Sequence, residues 1–247
     1  MTERIGDVFL QQTRYEAMEP SDQERGLAQP ALQRVFASGD PIALPDIHAI
    51  SQPASGLCES IEARTSLRNY ADVTLSLEEL AFLLWTTQGV KQVESERWTK
   101  RTVPSAGARH AFETLLLLHR VDGITPGLYQ YCALEHELRA FDPVNDLVGR
   151  LVEACLGQKM LKTCAVAFVW AADRYRMAWR YGERGVRYLF LDAGHVCQNL
   201  YLAAEAIGAG ACAIAAFDDA RVNALLGLDG EDAFAVYIAT VGKRSGA

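Results

Sequence analysis

What this chain of 247 residues lacks narrows its chemistry first. Its six cysteines (58, 132, 155, 164, 197 and 212) form no CxxC pair, and its five histidines (48, 110, 119, 136 and 195) show no HxH or HxxxH spacing. Zinc-type sites need clustered ligands, so no metal site is expected. Most of the thiols read instead as buried, reduced, small hydrophobes. No apolar run reaches the ~18 residues of a membrane span. The acidic start, Met1-Thr2-Glu3-Arg4-Ile5-Gly6-Asp7, lacks the apolar centre of a signal peptide. A soluble, cytoplasmic protein with no membrane partner is therefore expected. The formal charge is −7. Nucleic-acid backbones call for a basic surface, so nucleic acid is not an expected partner, although a local basic pocket for one small anion stays open. There is no Walker A sequence and no GxSxG elbow. Gly208 and Gly210 follow a helical pattern and precede a strand pattern, the reverse of a dinucleotide fingerprint, and the third glycine is missing. The acidic pairs Glu78-Glu79 and Asp218-Asp219 fall at helix starts, where capping and the helix dipole explain them.

What is present suffices for one large core, since half of the residues are hydrophobic. Residues 1–55 read as an extension packing on a domain of residues 56–247. In the extension, a short helix is expected over 7–15, a helical turn over 32–36 and extended chain over 41–45, where two prolines bracket apolar residues. Ser76 with Glu79 is a capping box, opening a helix that Gly89 closes. Residues 94–101 read as a charged surface loop. A strand over 114–121 and a hairpin of 127–132 with 136–141 follow. Asp142-Pro143 predicts a helix start with proline at the first helical position. Residues 164–171 read as a strand covered on both faces, and 177–185 as a charged, aromatic loop. Val186, Leu189, Phe190, Ala193, Cys197, Leu200, Ala204 and Ile207 then recur every three or four residues. That helix is apolar on more than one side, so it is either the central core helix or one at a subunit interface. A strand over 211–216, a helix over 220–226 and a strand over 234–241 end the chain. Regular βαβ alternation is missing, so the class is α+β, with a mostly antiparallel or mixed sheet covered by helices.

Four separated pieces remain for chemistry. The first is Arg64-Thr65-Ser66-Leu67-Arg68-Asn69-Tyr70. Two guanidiniums four residues apart suit phosphate or a planar acceptor, although such a pair alone is more often a solvated surface feature. The second is Pro104-Ser105-Ala106-Gly107-Ala108-Arg109-His110, a small-residue turn that lets a flat ligand approach the backbone. The third is the small-residue turn Ala213-Ile214-Ala215-Ala216, and the fourth the basic end Lys243-Arg244. Together they can clamp one flat, phosphorylated ligand. Arg64 with Lys243 or Arg244 neutralises a phosphate, Arg68 donates to a ring edge, and the two turns lie against the ring. A flavin nucleotide has this anatomy.

Residues 64–70 resemble the RRSxRxF opening of the nitroreductase-like flavoproteins. Residues 104–110 with Glu113 resemble the PSAGARHPxE version found in their SagB-type dehydrogenase branch. Residues 180–185 and 192–200 are similar to that branch's RYGERGYRYxLLxAGHxxQNLxLAA signature, and residues 212–218 to the family's CPIEGFD-like turn. The likeness runs in order over about residues 57–244.

The resemblance implies a three-layer α+β sandwich, an intertwined homodimer and FMN at the subunit interface. It carries FMN contacts onto Arg64, Thr65, Ser66 and Arg68, onto Pro104, Ser105, Ala106 and Gly107 from the partner subunit, onto Ala213, Ile214, Ala215 and Ala216, and onto Lys243 or Arg244. It implies hydride transfer between FMN and a small-molecule or peptide-azoline substrate, with NAD(P)H as reductant in the nitroreductase version. The catalytic candidates it suggests are Arg180 and Tyr181. Arginine stays protonated and is a poor base, so Tyr181 has to act or Arg180 only orients it. The structural alternative is a loop packing over the dimer. His195, Gln198 and Asn199 read as interface hydrogen-bonders. Other nitroreductases carry Asn at the position of Ala108 and Glu-Gly at Ala215-Ala216. These departures keep open a flavin-binding or purely structural dimer without turnover.

Overall fold

The computed structural model describes residues 4–51, 56–95 and 97–245. The boundary expected at residue 55 lies outside them. The helices are α1 (Ile5–Gln12), α2 (Leu57–Ala63), α3 (Leu77–Gln88), α4 (Leu147–Ala154), α5 (Arg174–Tyr181), α6 (Gly185–Ala206) and α7 (Asp219–Leu226). The strands are β1 (Pro41–Ala43), β2 (Val90–Glu94), β3 (Trp98–Arg101), β4 (Phe112–Leu118), β5 (Gly127–Cys132), β6 (Glu137–Ala140), β7 (Val166–Asp173), β8 (Ala209–Ile214) and β9 (Ala233–Lys243). Seven strands form one sheet in the order β1-β6-β5-β4-β7-β9-β8, and β2 pairs with β3 in a separate hairpin. Every pairing of these strands is antiparallel.

The central strand β7 shows why its sequence is continuously apolar. Val166, Phe168, Trp170 and Ala172 point into a core shared with Leu80 and Leu84 of α3 and Leu189, Val196 and Leu200 of α6. Ala167, Val169 and Ala171 point to the other face, into a core with Leu151 of α4 and Val222 of α7. Alternate side chains thus enter two cores, giving helix, sheet and helix layers. Each large, fully buried side chain contributes about 1.5–3 kcal/mol over leaving it exposed.

Several expected elements differ, and in three of the four a buried polar side chain is the cause. Of the residues expected as a loop over 94–101, the described ones belong to the β2–β3 hairpin, whose inward positions are Thr99 and Arg101. The Arg101 guanidinium donates to Gln88 Oε1 (3.0 Å) and Thr99 Oγ1 (3.2 Å), so a charged side chain occupies a strand's interior face. Residues 177–181 lie in α5, not in a loop, because Asp173 caps that helix and Arg176 fills a core-facing position. Residues 32–36 carry no helical turn. Gln130 holds them extended, accepting from the Phe36 amide (2.7 Å) and donating to the Arg34 carbonyl (2.6 Å), as a neighbouring strand would. Finally, α4 begins at Leu147, capped by Asp146, rather than at Pro143.

Helix α6 organises the rest. Its 22 residues span ~33 Å at ~1.5 Å per residue. Leu189, Ala193, Val196, Cys197 and Leu200 are buried against the sheet. Phe190, Leu191, Gly194, His195 and Gln198 form an exposed face opposite, with Phe190 58% and Leu191 60% exposed. A helix apolar on both sides in this way has one face still to cover.

Candidate active site

The first group of residues gathers at the free edge of β8. The Leu67 amide donates to the Ala211 carbonyl (2.9 Å), so residues 66–67 run along that strand. Gly210 permits this approach, since a Cβ there would lie 2.7 Å from the Leu67 side chain. Tyr201 of α6 ties the group together. Its hydroxyl accepts from the Ala213 amide (2.8 Å), shares a hydrogen bond with Ser66 Oγ (3.2 Å), and its ring lies 5.5 Å beneath the Arg64 guanidinium. Arg68 is exposed, and among the described residues its guanidinium is bonded only to the Ser66 carbonyl (3.3 Å). Neither Arg64 nor Arg68 has a carboxylate partner among the described residues. Thr65, Ala215 and Ala216 are exposed beside them, and Ile214 is buried.

Lys243 and Arg244 are differently committed. Lys243 Nζ donates to Glu79 and to the Ile207 carbonyl (2.7 Å), while Arg244 pairs with Glu205. Glu79 is also the capping residue of α3, accepting from the Ser76 amide (3.0 Å). The basic chain end therefore clamps the last turn of α6, where the helix dipole favours cations, to the first turn of α3.

The second group lies toward the other end of α6. The Ala106 amide points at both Asp192 carboxylate oxygens (3.3 Å each), and Ser105 Oγ accepts from the His110 amide (2.8 Å). Burial raises the Asp192 pKa, opposed by its bonds to Ser105 and Ala106. Pro104 and Gly107 are exposed. Gly107 has φ +56°, and a Cβ there would come 2.5 Å from Tyr181 Oη and 2.8 Å from Arg180 Nε. The turn thus lies directly against the catalytic candidates. The Arg180 guanidinium sits 5.6 Å from the Tyr181 ring, whose other neighbour is Tyr188, edge-on at 4.8 Å.

A buried ionic platform lies under this turn. Arg176, with no exposed side-chain surface, donates to Glu113 (2.6 Å), Asp173 (3.1 Å) and the His110 carbonyl (3.1 Å). Arg109 donates to the Arg176 carbonyl (3.2 Å) and stacks on Trp179. Burial, with the cation of Arg101 nearby, depresses His110 to about 3, so the ring is neutral at ordinary pH. Arg109, His110 and Glu113 therefore hold the turn rather than face a ligand.

Sequence patterns pass over Tyr201 and Asp192, the two α6 residues that fasten these groups. Tyr201 lies among apolar helix positions and reads as core. Asp192 is an acid set among apolar helix positions, three residues before His195, and that placement was a usable signal. The two groups stay apart within one chain. Nine residues of helix separate Asp192 from Tyr201, roughly 13 Å, and among the described residues no hydrogen bond, ion pair or ring contact joins them.

Two further features lie elsewhere. A mostly apolar cavity of about 440 Å³ sits under α4, far from both groups in the fold. Cys132, Glu135 and Glu137 offer metal-ligand atoms within 4.8 Å of one another, but Glu137 is bonded to Arg139 (2.8 Å) and Glu135 to Gln33 (2.7 Å).

The sequence pattern of the Nitroreductase family matches residues 61–243, nearly three-quarters of the chain. The chain belongs to the nitroreductase family. It is 34% identical over 186 residues to MJ1384 of Methanocaldococcus jannaschii, a nitroreductase by name, covering 75% of this chain and 88% of that one. It is 29% identical over 163 residues to the trifolitoxin-processing protein TfxB of Rhizobium leguminosarum bv. trifolii, covering 63% of this chain but only 44% of TfxB. Its fold is shared with a chain of the E. coli microcin synthetase McbBCD complex with truncated pro-MccB17 bound, at TM-score 0.64 and 22% identity, over 96% of this chain and 86% of that one. The family supports oxidoreductase chemistry. The sheet with helices on both faces is the nitroreductase α+β arrangement, and no described helix is long and apolar enough to cross a membrane.

Proposed function

We propose that this protein is an FMN-dependent oxidoreductase of the SagB type, acting as a homodimer on an azoline-bearing peptide. The observation that carries this reading is the division of the site along α6. One group offers cations and a wall of small residues. The other offers a glycine turn beside Arg180 and Tyr181. The exposed Phe190, Leu191, Gly194 and His195 lie on the helix that carries both. A second copy packing antiparallel on that face would bring the β8 edge of one subunit to the Gly107 turn of its partner, and would cover the apolar surface.

The residues present fit FMN. Arg64 and Arg68 have no carboxylate to neutralise them among the described residues, and Ala213, Ala215 and Ala216 leave room for a flat ring. Arg64, Thr65 and Ser66 would hold the phosphate and Arg68 the pyrimidine edge. Pro104, Ser105, Ala106 and Gly107 of the second copy would complete the pocket. Lys243 and Arg244 keep their carboxylates, so Arg64 carries the larger share of the phosphate charge. Bound FMN supplies a two-electron acceptor for hydride. Around it, the Arg68 guanidinium favours negative charge on the neighbouring ring edge. Tyr181, acting as its phenolate, would take the substrate proton, and Arg180, always charged, would orient it. The five buried free thiols accord with a reducing compartment such as the cytoplasm.

The peptide substrate is favoured by TfxB, a processing protein, and by the pro-peptide in the McbBCD complex. A second reading, NAD(P)H-dependent reduction of nitroaromatics or quinones, is favoured by the likeness to MJ1384. The visible spectrum of the purified protein, its sedimentation and an anaerobic titration with NADH and NADPH test all of this. A yellow dimer is expected. Bleaching by NAD(P)H selects the reductase reading, and no bleaching selects the dehydrogenase. A colourless protein that takes up no FMN sinks both and leaves a structural dimer.

A further inference from the structure

Residues 13–29 lie outside the family match, yet they are fastened across the end of α5 that carries Arg180 and Tyr181. The Gln23 amide donates to the Trp179 carbonyl (2.8 Å), and the Trp179 indole donates to the Leu27 carbonyl (3.0 Å). Tyr175 donates to Asp22 (3.0 Å), and Arg184 to the Thr13 carbonyl (2.7 Å). Tyr15 Oη lies 2.9 Å from Tyr188 Oη, and Tyr188 is the ring packed on Tyr181. The strap thus reaches Tyr181 through one intervening side chain.

A cavity of about 590 Å³ opens between this strap and the α5–α6 turn, with Tyr15, Met18 and Glu19 on one wall and Arg180, Tyr181 and Arg184 on the other. Half of the charges around it are spent. Arg184 is bonded to Tyr188 (2.9 Å) and lies 4.0 Å from the Tyr15 ring. Glu24 accepts from the Ser21 amide (2.7 Å) and hydroxyl (2.8 Å). Glu19 and Arg180 alone among these four have no ion pair or hydrogen bond to any described residue. The cavity therefore presents one free acceptor and one free donor beside Tyr181.

That pairing selects among ligands. A backbone amide offers a carbonyl to a guanidinium and an N–H to a carboxylate. A nitro group or a quinone offers acceptors only and would set its oxygens against the Glu19 carboxylate. We propose that residues 13–24 form the substrate-specificity wall of this enzyme, with Glu19 and Arg180 clasping a backbone amide of a peptide beside Tyr181. The proposal rests on the peptide reading given above. It adds that the segment preceding the family domain chooses the substrate.

The test measures calorimetric binding of an N-acetylated, C-amidated tetrapeptide with a central thiazoline to the purified protein, with FMN content read from the same samples. Glu19→Ala and Glu19→Lys are expected to weaken binding about tenfold or more, the loss of a charge-assisted hydrogen bond. The melting temperature and flavin content should stay at wild-type values, since Glu19 is exposed and bonded to nothing described. Affinity for nitrobenzene should not fall. Unchanged peptide affinity in both variants overturns the proposal, as does a wild-type protein that does not bind the peptide. A protein that takes up no FMN but binds the peptide in a Glu19-dependent way supports the clasp while removing the flavin reading, so the two failures are distinguishable.

Discussion

At the β8 edge, the half-buried Arg64 and the exposed Arg68 have no carboxylate partner among the described residues. Beneath the Gly107 turn, Arg176 is sealed between Glu113 and Asp173, with Arg109 bonded to its carbonyl. One helix carries both regions, through Tyr201 at one end and Asp192 toward the other. The difference lies in what each region's charge answers to. Charge at the β8 edge is left for a ligand. Charge under the turn is consumed by the fold and fixes a backbone. A variant at the first region should change what binds and leave stability alone, and a variant at the second should do the reverse.

The largest effect is expected from Arg176→Leu. It leaves Glu113, only 5% exposed, without its guanidinium. Breaking a buried pair from one side costs about 3–5 kcal/mol, or a drop of roughly 10 °C in melting temperature for a chain of this size. The double variant Arg176→Leu, Glu113→Leu should recover part of the loss, because no unpaired charge stays buried. A double variant no more stable than the single would mean that shape, not charge, is what the platform supplies.

Arg64→Ala probes the opposite region. FMN affinity should fall by about 2 kcal/mol, roughly thirtyfold, the worth of a charge-assisted contact. Its urea midpoint should shift by no more than about 0.5 kcal/mol in stability. Unchanged FMN uptake would move the phosphate to Lys243 and Arg244, and would erase the contrast drawn between free and committed cations.

His110 gives the buried region a pH signature that the β8 edge lacks. Burial depresses its pKa to about 3, below the 6.5 of an exposed imidazole. Between these values the unfolded chain holds a proton that the folded chain does not. Stability therefore falls as pH drops below about 6.5, and the penalty is complete near pH 3. At pH 5 the difference is about 2 kcal/mol. His110→Gln should flatten this part of the profile, seen in urea titrations of both proteins at pH 7 and pH 5. Parallel profiles would show that carboxylates elsewhere carry the acid sensitivity.

The same contrast decides how much could be read from the sequence. Free charge at the β8 edge stays in plain view as Arg64 and Arg68. The capping box at Ser76 and the stop at Gly89 are local chemistry, and α3 follows them closely. Charge turned inward breaks the apolar period that marks an element. Arg101 hides strand β3 and Arg176 hides helix α5, since each occupies a core position with a residue that patterns assign to solvent. Gln130 holds residues 34–37 from 93 or more positions away, which no local pattern records. Tyr201 and Asp192 fail the opposite way. They sit in an apolar helix, so their polar ends go unnoticed until their partners are known.

The smallest effect concerns the strain held in the turn itself. Ala108 has φ +53°, next to Gly107 at φ +56°. An L-residue in the left-handed region costs roughly 1–2 kcal/mol, which glycine avoids while losing about 0.5–1 kcal/mol through unfolded-chain entropy. Ala108→Gly should therefore stabilise the protein by up to about 1 kcal/mol, a rise of a few degrees in melting temperature at most. Asn tolerates this conformation better than Ala, so Ala108→Asn should fall between the two. The position has no comparable strain to release at the β8 edge, where Ala215 and Ala216 have ordinary negative φ. Alanine-to-glycine changes there should destabilise slightly or do nothing. A stabilising glycine at 108 and not at 215 would locate the strain in the turn that faces Arg180 and Tyr181. It would mean that the ionic platform holds the turn in a conformation its own residues disfavour.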